Sequence, residues 1–234
     1  MLSENLFANQ STLTTARLRL EPLGPDHFDG VWAALQDPEA RRLTGTHAEF
    51  TPEQISAWLA GLAAQHDRAD WAVIRCADEQ HPEERYVGEV VLNDLDADNE
   101  SVGFRISLSP ADVRGRGYGT EATAAVVGHA FDDMGLHRVE LEVFAFNPRA
   151  RRAYEKAGFT VEGRRRGALL WDGVRVDAVS MGILAGDPRP AAPGPLPESG
   201  DTAPDLDGSQ QGEHHRHGSQ DEHHVGIGDG PVPH

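Results

Sequence analysis

The most constraining segment is Val113-Arg114-Gly115-Arg116-Gly117-Tyr118-Gly119-Thr120-Glu121, which follows a strand-like run and opens a helical one. Three glycines at alternate positions let the backbone turn tightly and bring several N–H groups close to a ligand. Those donors then lie at a helix N-terminus, where unpaired N–H groups and the positive dipole end favour an anion. Arg114 and Arg116 add charge for phosphate oxygens. Two better-known phosphate loops are excluded. A dinucleotide fingerprint started at Gly115 requires glycine where Thr120 stands, and a Walker loop requires a Gly-Lys pair that the segment lacks. A glycine-rich turn with solvated arginines is the alternative reading of the same residues.

Around this loop the apolar pattern changes period several times. Residues 17–22 alternate at period two and predict a first strand. Pro25 opens a helix over 25–37 with Phe28, Val31, Trp32 and Leu35 on one face. Thr51-Pro52-Glu53-Gln54 has a cap, a first-position proline and a capping-box glutamine, predicting a helix over 52–66. Strand-like runs follow near 71–76, 86–92 and 101–108. A helix over 117–134 aligns Val126, Ala130 and Met134, then a strand near 137–146 leads to a short helix from Pro148, ended by Gly158. Two last strands meet across Asp172-Gly173, a strong hairpin signal. Clustered strands without regular βαβ alternation predict a mixed α/β sheet rather than a doubly wound one.

Composition bounds the rest. The 234 residues are 38% hydrophobic, below the ~45–50% of globular chains. The deficit sits at the end: from Gly186 onward the chain has eight of the 15 prolines and six of the 12 histidines. That composition predicts a disordered tail over 186–234, after an N-terminal extension over 1–12 and one domain over 13–185. Nine acidic side chains against Arg189 and Arg216 leave the tail at −7, and residues 1–185 hold −10 of the net −17. Such acidity argues against a nucleic-acid partner. No run reaches the ~18 apolar residues of a membrane span, and the N-terminus lacks the pattern of a signal peptide. A lone Cys76 excludes a disulfide framework and reads as a small packed hydrophobe, so the expected compartment is the cytoplasm. The tracts His214-His215-Arg216-His217 and His223-His224 read as adventitious metal binders, and no metal cofactor is expected. His129 reads as helix packing or surface.

Arg114, Gly117 and Gly119 match Arg/Gln-x-x-Gly-x-Gly/Ala, which resembles the pyrophosphate loop of the GCN5-related N-acetyltransferases (GNAT). Leu141-Glu142-Val143, Asn147-Pro148-Arg149-Ala150-Arg151 and Ala153-Tyr154-Glu155-Lys156-Ala157-Gly158-Phe159 are similar to that family's N-x-x-A and Y-x-x-x-G-F segment. The start, Leu13-Thr14-Thr15-Ala16-Arg17-Leu18, resembles the RimJ/RimL-type (ribosomal-protein-alanine) branch. So does the stretch from Val161-Glu162-Gly163 through Trp171-Asp172-Gly173 to Asp177 and Met181. The resemblance spans roughly residues 13–184. It implies a GNAT fold, α+β, with a mostly antiparallel mixed sheet of about seven strands flanked by about four helices. It also implies acetyl-CoA as cosubstrate, its pyrophosphate on Arg114, Gly115, Arg116, Gly117, Tyr118, Gly119 and Thr120. The pantetheine arm would run between strands ending near Leu108 and Ala145, along Ile106 and Leu108, and touch Asn147. Asn147 before Pro148 also reads as a helix cap.

By spacing, Ala150, Ala153, Tyr154 and Ala157 form a packing stripe. The resemblance makes Tyr154 the general acid, a phenol of pKa ~10 protonating a thiolate whose conjugate acid is near ~8.5. It makes Glu142, twelve residues earlier, the base, with Glu140 on the same strand face. An arginine partner such as Arg138, a base at Glu100, and a water relay remain open beside it. Arg149, Arg151 and Arg152 reach either the 3′-phosphate of CoA or solvent, and Arg164-Arg165-Arg166 likewise read as a contact or a charged strand end. An α-amine of pKa ~8 costs about 1.4 kcal/mol to deprotonate at neutral pH, and a lysine-like amine of ~10.4 about 4.6 kcal/mol. A weakly placed base therefore favours a protein or peptide N-terminal α-amine as acceptor. A small amine (polyamine or antibiotic) and a catalytically silent acyl-CoA-binding module are the alternatives. The helices over 25–37 and 52–66 are expected to frame the acceptor pocket; a monomer and a homodimer fit equally.

Overall fold

Strand β3 (Ala69–Arg75) sets the layering, because all seven of its residues are buried. Trp71 and Val73 point into one core and Ala72 and Ile74 into another, as period-two alternation requires of a strand covered on both faces. Before it come β1 (Leu13–Thr14), β2 (Leu18–Pro22), α1 (Phe28–Gln36), α2 (Pro38–Thr44) and α3 (Pro52–Gly61). After it come β4 (Arg85–Asp96), β5 (Ser101–Leu108), α4 (Tyr118–Asp132), β6 (Arg138–Phe144), α5 (Pro148–Lys156), β7 (Thr160–Trp171) and β8 (Val174–Leu184). The computed structural model describes residues 6, 7 and 10–190. The histidine tracts therefore lie outside the described residues.

The strands form one sheet in the order β1-β2-β3-β4-β5-β6-β8-β7, antiparallel throughout except for the β5–β6 pair. The larger core lies on the face covered by α4 and α5, where Leu18, Leu20, Trp71, Val90, Val102, Val139 and Ile183 meet Val126, Val127 and Ala130. A smaller core under α1 and α3 holds Leu23, Val31, Ile55, Leu59, Leu62, Ala72 and Ile74. The stripes read from the α1 and α3 sequences supply it. At Gly88 a Cβ would lie 2.0 Å from the Ser107 carbonyl oxygen, so only glycine lets β4 and β5 approach there. Asp172 (φ 47°) and Gly173 (φ 77°) form the two-residue turn between β7 and β8, as the Asp-Gly signal predicts.

The mixed, mostly antiparallel architecture is as expected, with β1 as an eighth short strand and α2 as an additional helix. Seven residues without an apolar stripe gave α2 no periodicity to read. The helix expected over 52–66 stops at Gly61 and continues as a 3-10 turn through Ala64. Cys76 follows β3 by one residue. The chain also stays on the domain past the boundary that composition predicts at 185. Asp187 caps the Leu184 N–H at 2.9 Å, and Arg189 reaches Asp132 at 2.5 Å with its guanidinium over Phe131. Local polar contacts hold this segment, and composition does not register them. Among the described residues no helix is long and apolar enough to cross a membrane.

Candidate active site

Strands β5 and β6 pair only over Ser101–Gly103 against Arg138–Glu140. Each then runs on, to Leu108 and to Phe144, without the other as partner. The gap opens into a cavity of about 670 Å³. It is lined from both faces of the sheet, because Ile106 and Leu108 pack toward the larger core while the alternate residues Arg105 and Ser107 face the other way.

At one end the cavity is built from main chain. Gly115, Gly117, Gly119 and Thr120 line it. Gly115 (φ 80°) and Gly117 (φ 87°) adopt left-handed backbone that side chains resist. Gly117 is the N-cap of α4 and has no side chain to satisfy the first-turn N–H groups, which leaves them for a ligand. Arg149, Arg152 and Lys156 line the same cavity from α5. Bare helix-end donors, a positive-φ loop and these three cations fit a polyphosphate, and the unpaired edges of β5 and β6 fit an amide-bearing arm. The residues present therefore fit acetyl-CoA.

Three side chains of the expected phosphate set have partners within the protein. Arg114 lines the cavity but is mostly buried, and its guanidinium is tied to the Asp37 carboxylate and donates to the Leu108 carbonyl at 3.0 Å, so it also braces the loop. Asp37 in turn caps α2 by accepting from the Glu39 N–H at 2.9 Å. Burial alone would raise the Asp37 carboxyl, but the Ala40 and Glu39 N–H groups and Arg114 together hold it below the usual range. Arg116 lies outside the cavity, donating to the Asp112 carbonyl at 2.8 Å. Tyr118 is also outside the lining, buried beneath the Arg17 guanidinium.

Tyr154, Glu142 and Asn147 all line the cavity. Asn147 caps α5, accepting from the Ala150 N–H at 3.1 Å. Tyr154 is 7% exposed and packs edge-on against Phe104 at 6.2 Å and against Phe159 at 6.0 Å. Burial pushes its phenol well above the ordinary value, so it is protonated at any working pH. Packing and access to the cavity thus coexist in one side chain. Glu142 is ion-paired with Arg165, and Arg138 instead bridges Glu140 at 2.9 Å and Glu162 at 2.5 Å. Glu100 sits in the β4–β5 turn, its carbonyl accepting from His137 and Arg138, and does not line the cavity. Arg151 is paired with Glu155, and Arg164 with Asp177. His129 bonds Asp133 at 2.7 Å and packs against Trp71.

Sequence reasoning missed one wall of the cavity. Ala40, Leu43 and Thr44 of α2 line the cavity, whereas the helices expected to frame it, α1 and α3, do not. The Asp37-Pro38-Glu39 cap signature was the available signal. Asn93, Asp94 and Ser107 also line the cavity.

Comparison with known proteins places this geometry. Residues 17–160 match the acetyltransferase (GNAT) domain. An FsC-acetyl coenzyme A-N(2)-transacetylase of Aspergillus fumigatus is 29% identical over 161 residues, 64% of this chain and 66% of that protein's length. An uncharacterized prophage-derived N-acetyltransferase of Bacillus subtilis is 22% identical over 73% of this chain and 91% of its own. The spermidine N-acetyltransferase of Vibrio cholerae, solved with CoA and spermine, shares the fold at a TM-score of 0.65 and 20% identity, over 72% of this chain and 96% of that one. Because the domain match covers more than half of the sequence, the chain belongs to the GNAT family and is an acetyl-CoA-dependent N-acetyltransferase.

Proposed function

We propose that the protein acetylates the α-amine of a protein or peptide N-terminus, in the manner of the RimJ/RimL branch. Tyr154 donates the proton to the leaving thiolate, and Glu142 accepts the amine proton through water. The observation that carries the acceptor assignment is the state of the carboxylates at the cavity mouth. Glu140 and Glu162 are held by Arg138, and Glu142 by Arg165. A carboxylate engaged by a guanidinium is poorly available as a base and offers little free charge to a polycation. An α-amine of pKa ~8 tolerates such a base, and a polyamine does not. The mouth is also open, with Glu140 55% and Glu142 40% exposed at the side chain, which suits a chain end rather than a small enclosed cation.

Acetyl-CoA supplies an activated acetyl group as a thioester. The α4 N-terminus and the α5 cations hold its phosphates, and the free edges of β5 and β6 hold its arm. Tyr154 remains a neutral acid in apolar surroundings. A thiolate formed in the same dry slot is also destabilised by burial, so proton transfer from a high-pKa phenol stays feasible.

A small amine is the second reading. Asp94 lines the cavity and is bonded to Asn93 rather than to a cation, which leaves one carboxylate for an ammonium group. Among the relatives one is named for an N(2) nitrogen and one for spermidine, and the spermidine enzymes favour this second reading. CoA release measured across N-terminal peptides, polyamines and aminoglycosides separates the readings. Peptides should give the highest kcat/KM. Preference for spermidine overturns the assignment, and binding of acetyl-CoA without turnover on any amine identifies a silent module.

A further inference from the structure

The N-terminal Thr15-Ala16-Arg17 motif is used by none of the steps above, yet it lies directly against the phosphate loop. Glu121, in the first turn of α4, is 4% exposed. Its Oε1 accepts from the Thr15 hydroxyl at 2.7 Å and the Arg17 N–H at 2.9 Å. Its Oε2 receives Nε of Arg17 at 2.7 Å and Nη2 at 2.6 Å. The Nη1 of the same guanidinium donates to the Arg116 carbonyl at 2.9 Å, and the group stacks over Tyr118 at 4.7 Å. A Cβ built on Gly117 would lie 3.2 Å from Nη2, so Arg17 sits against the N-cap itself.

This placement poses an electrostatic problem and its solution together. A buried carboxylate at a helix N-terminus opposes the anion that the same terminus is built to bind, and low dielectric strengthens the opposition. Arg17 cancels that charge and at the same time holds the Arg116 carbonyl, and with it the turn that aims the loop's N–H groups. The guanidinium's contacts are with Glu121, Arg116 and Tyr118 rather than with the cavity, which its side chain does not line.

We infer that Arg17 is a positioning residue for acetyl-CoA, setting cosubstrate affinity by neutralising Glu121 beneath the phosphate loop. The inference rests on the loop at 114–120 being the pyrophosphate site. Its test measures CoA affinity by calorimetry, and acetyl-CoA KM and kcat by CoA release. Arg17→Met should weaken CoA binding and raise KM roughly tenfold, a charge-sized effect, with kcat at saturation within about twofold. The double variant Arg17→Met/Glu121→Gln removes the stranded charge while the glutamine Oε1 still accepts from Thr15. It should recover most of the affinity despite losing more hydrogen bonds. Arg17→Lys, which keeps the charge, should lie near wild type and serves if Arg17→Met fails to fold. A purely structural role predicts the opposite, a double variant at least as impaired as the single one, and that result overturns the inference. So does unchanged affinity in Arg17→Met. Absence of CoA binding in the wild type would instead sink the site assignment, so the two failures are distinguishable.

Discussion

The two ends of the cavity are made of different materials. The end proposed for the cosubstrate is mostly main chain, with two positive-φ glycines, an uncapped helix terminus and the free edges of β5 and β6, and Arg149, Arg152 and Lys156 are its side-chain part. The end proposed for the acceptor is side chain: Glu140, Glu142 and Glu162 tied to Arg138 and Arg165, with Ala40, Leu43 and Thr44 of α2 also in the cavity lining. A main-chain site binds the same group wherever the backbone is kept. A site of paired side chains changes specificity with one substitution. The fixed reaction partner thus meets the part of the protein that mutation alters least.

Tyr154 also lines the cavity, and its loss should have the largest effect. Tyr154→Phe keeps the packing against Phe104 and Phe159 and removes the proposed acid. Turnover should fall at least about tenfold with little change in acetyl-CoA KM, the signature of a loss confined to the transition state. Unchanged turnover would leave Tyr154 as packing alone.

The contrast between the ends is sharpened by substitutions that touch only one. Gly117→Val forces a β-branched residue into φ 87° and should raise acetyl-CoA KM roughly tenfold, with peptide KM unaffected. A rise in both constants would show that the ends are not independent. One connection between them is visible, the Arg114–Asp37 pair that ties the loop to the cap of α2. Asp37→Ala should therefore raise both KM values by about two- to fivefold, a cap-sized loss of order 1 kcal/mol distributed over both sites. A change in acetyl-CoA KM alone would reduce Arg114 to a local brace of its loop.

The same division explains what the sequence disclosed. Glycine spacing, the strand-to-helix transition and the Asn147-Pro148 cap are local, so the proposed cosubstrate end is read from residues 113–121 and 147–158 alone. Glu142 was visible as a residue, but its partner Arg165 is 23 positions away on β7, and only the register of β6, β8 and β7 brings them together. Arg114 and Arg116 looked alike in sequence, yet one is buried against Asp37, 77 positions away, and the other holds a carbonyl four positions back. No periodicity encodes such pairings. The α2 wall was legible only through its cap, because a seven-residue helix has too few turns to show a stripe.

The smallest effect expected is on stability, and it tests whether the α1/α3 face of the sheet is as polar beneath as the acceptor end is at its mouth. Glu89 on β4 has its carboxyl raised by burial and by Asp70, offset only in part by Arg105 and Arg68. Arg68 is already committed to Asp70 at 2.5 Å, and the neighbouring Tyr86 hydroxyl is buried without a partner. A carboxyl whose folded pKa lies above its unfolded value favours folding while protonated, and that advantage disappears as pH rises from the unfolded value through the folded one. Glu89→Gln keeps the shape and removes the charge. It should therefore raise Tm at pH 8 by roughly 2–4 °C, the shift that about 1 kcal/mol gives a domain of this size, and leave it unchanged near pH 4. Thermal unfolding at the two pH values decides the matter. A variant destabilised at pH 8 but not near pH 4 would show that the ionised carboxylate has a partner, and that this face is as fully paired as the acceptor end.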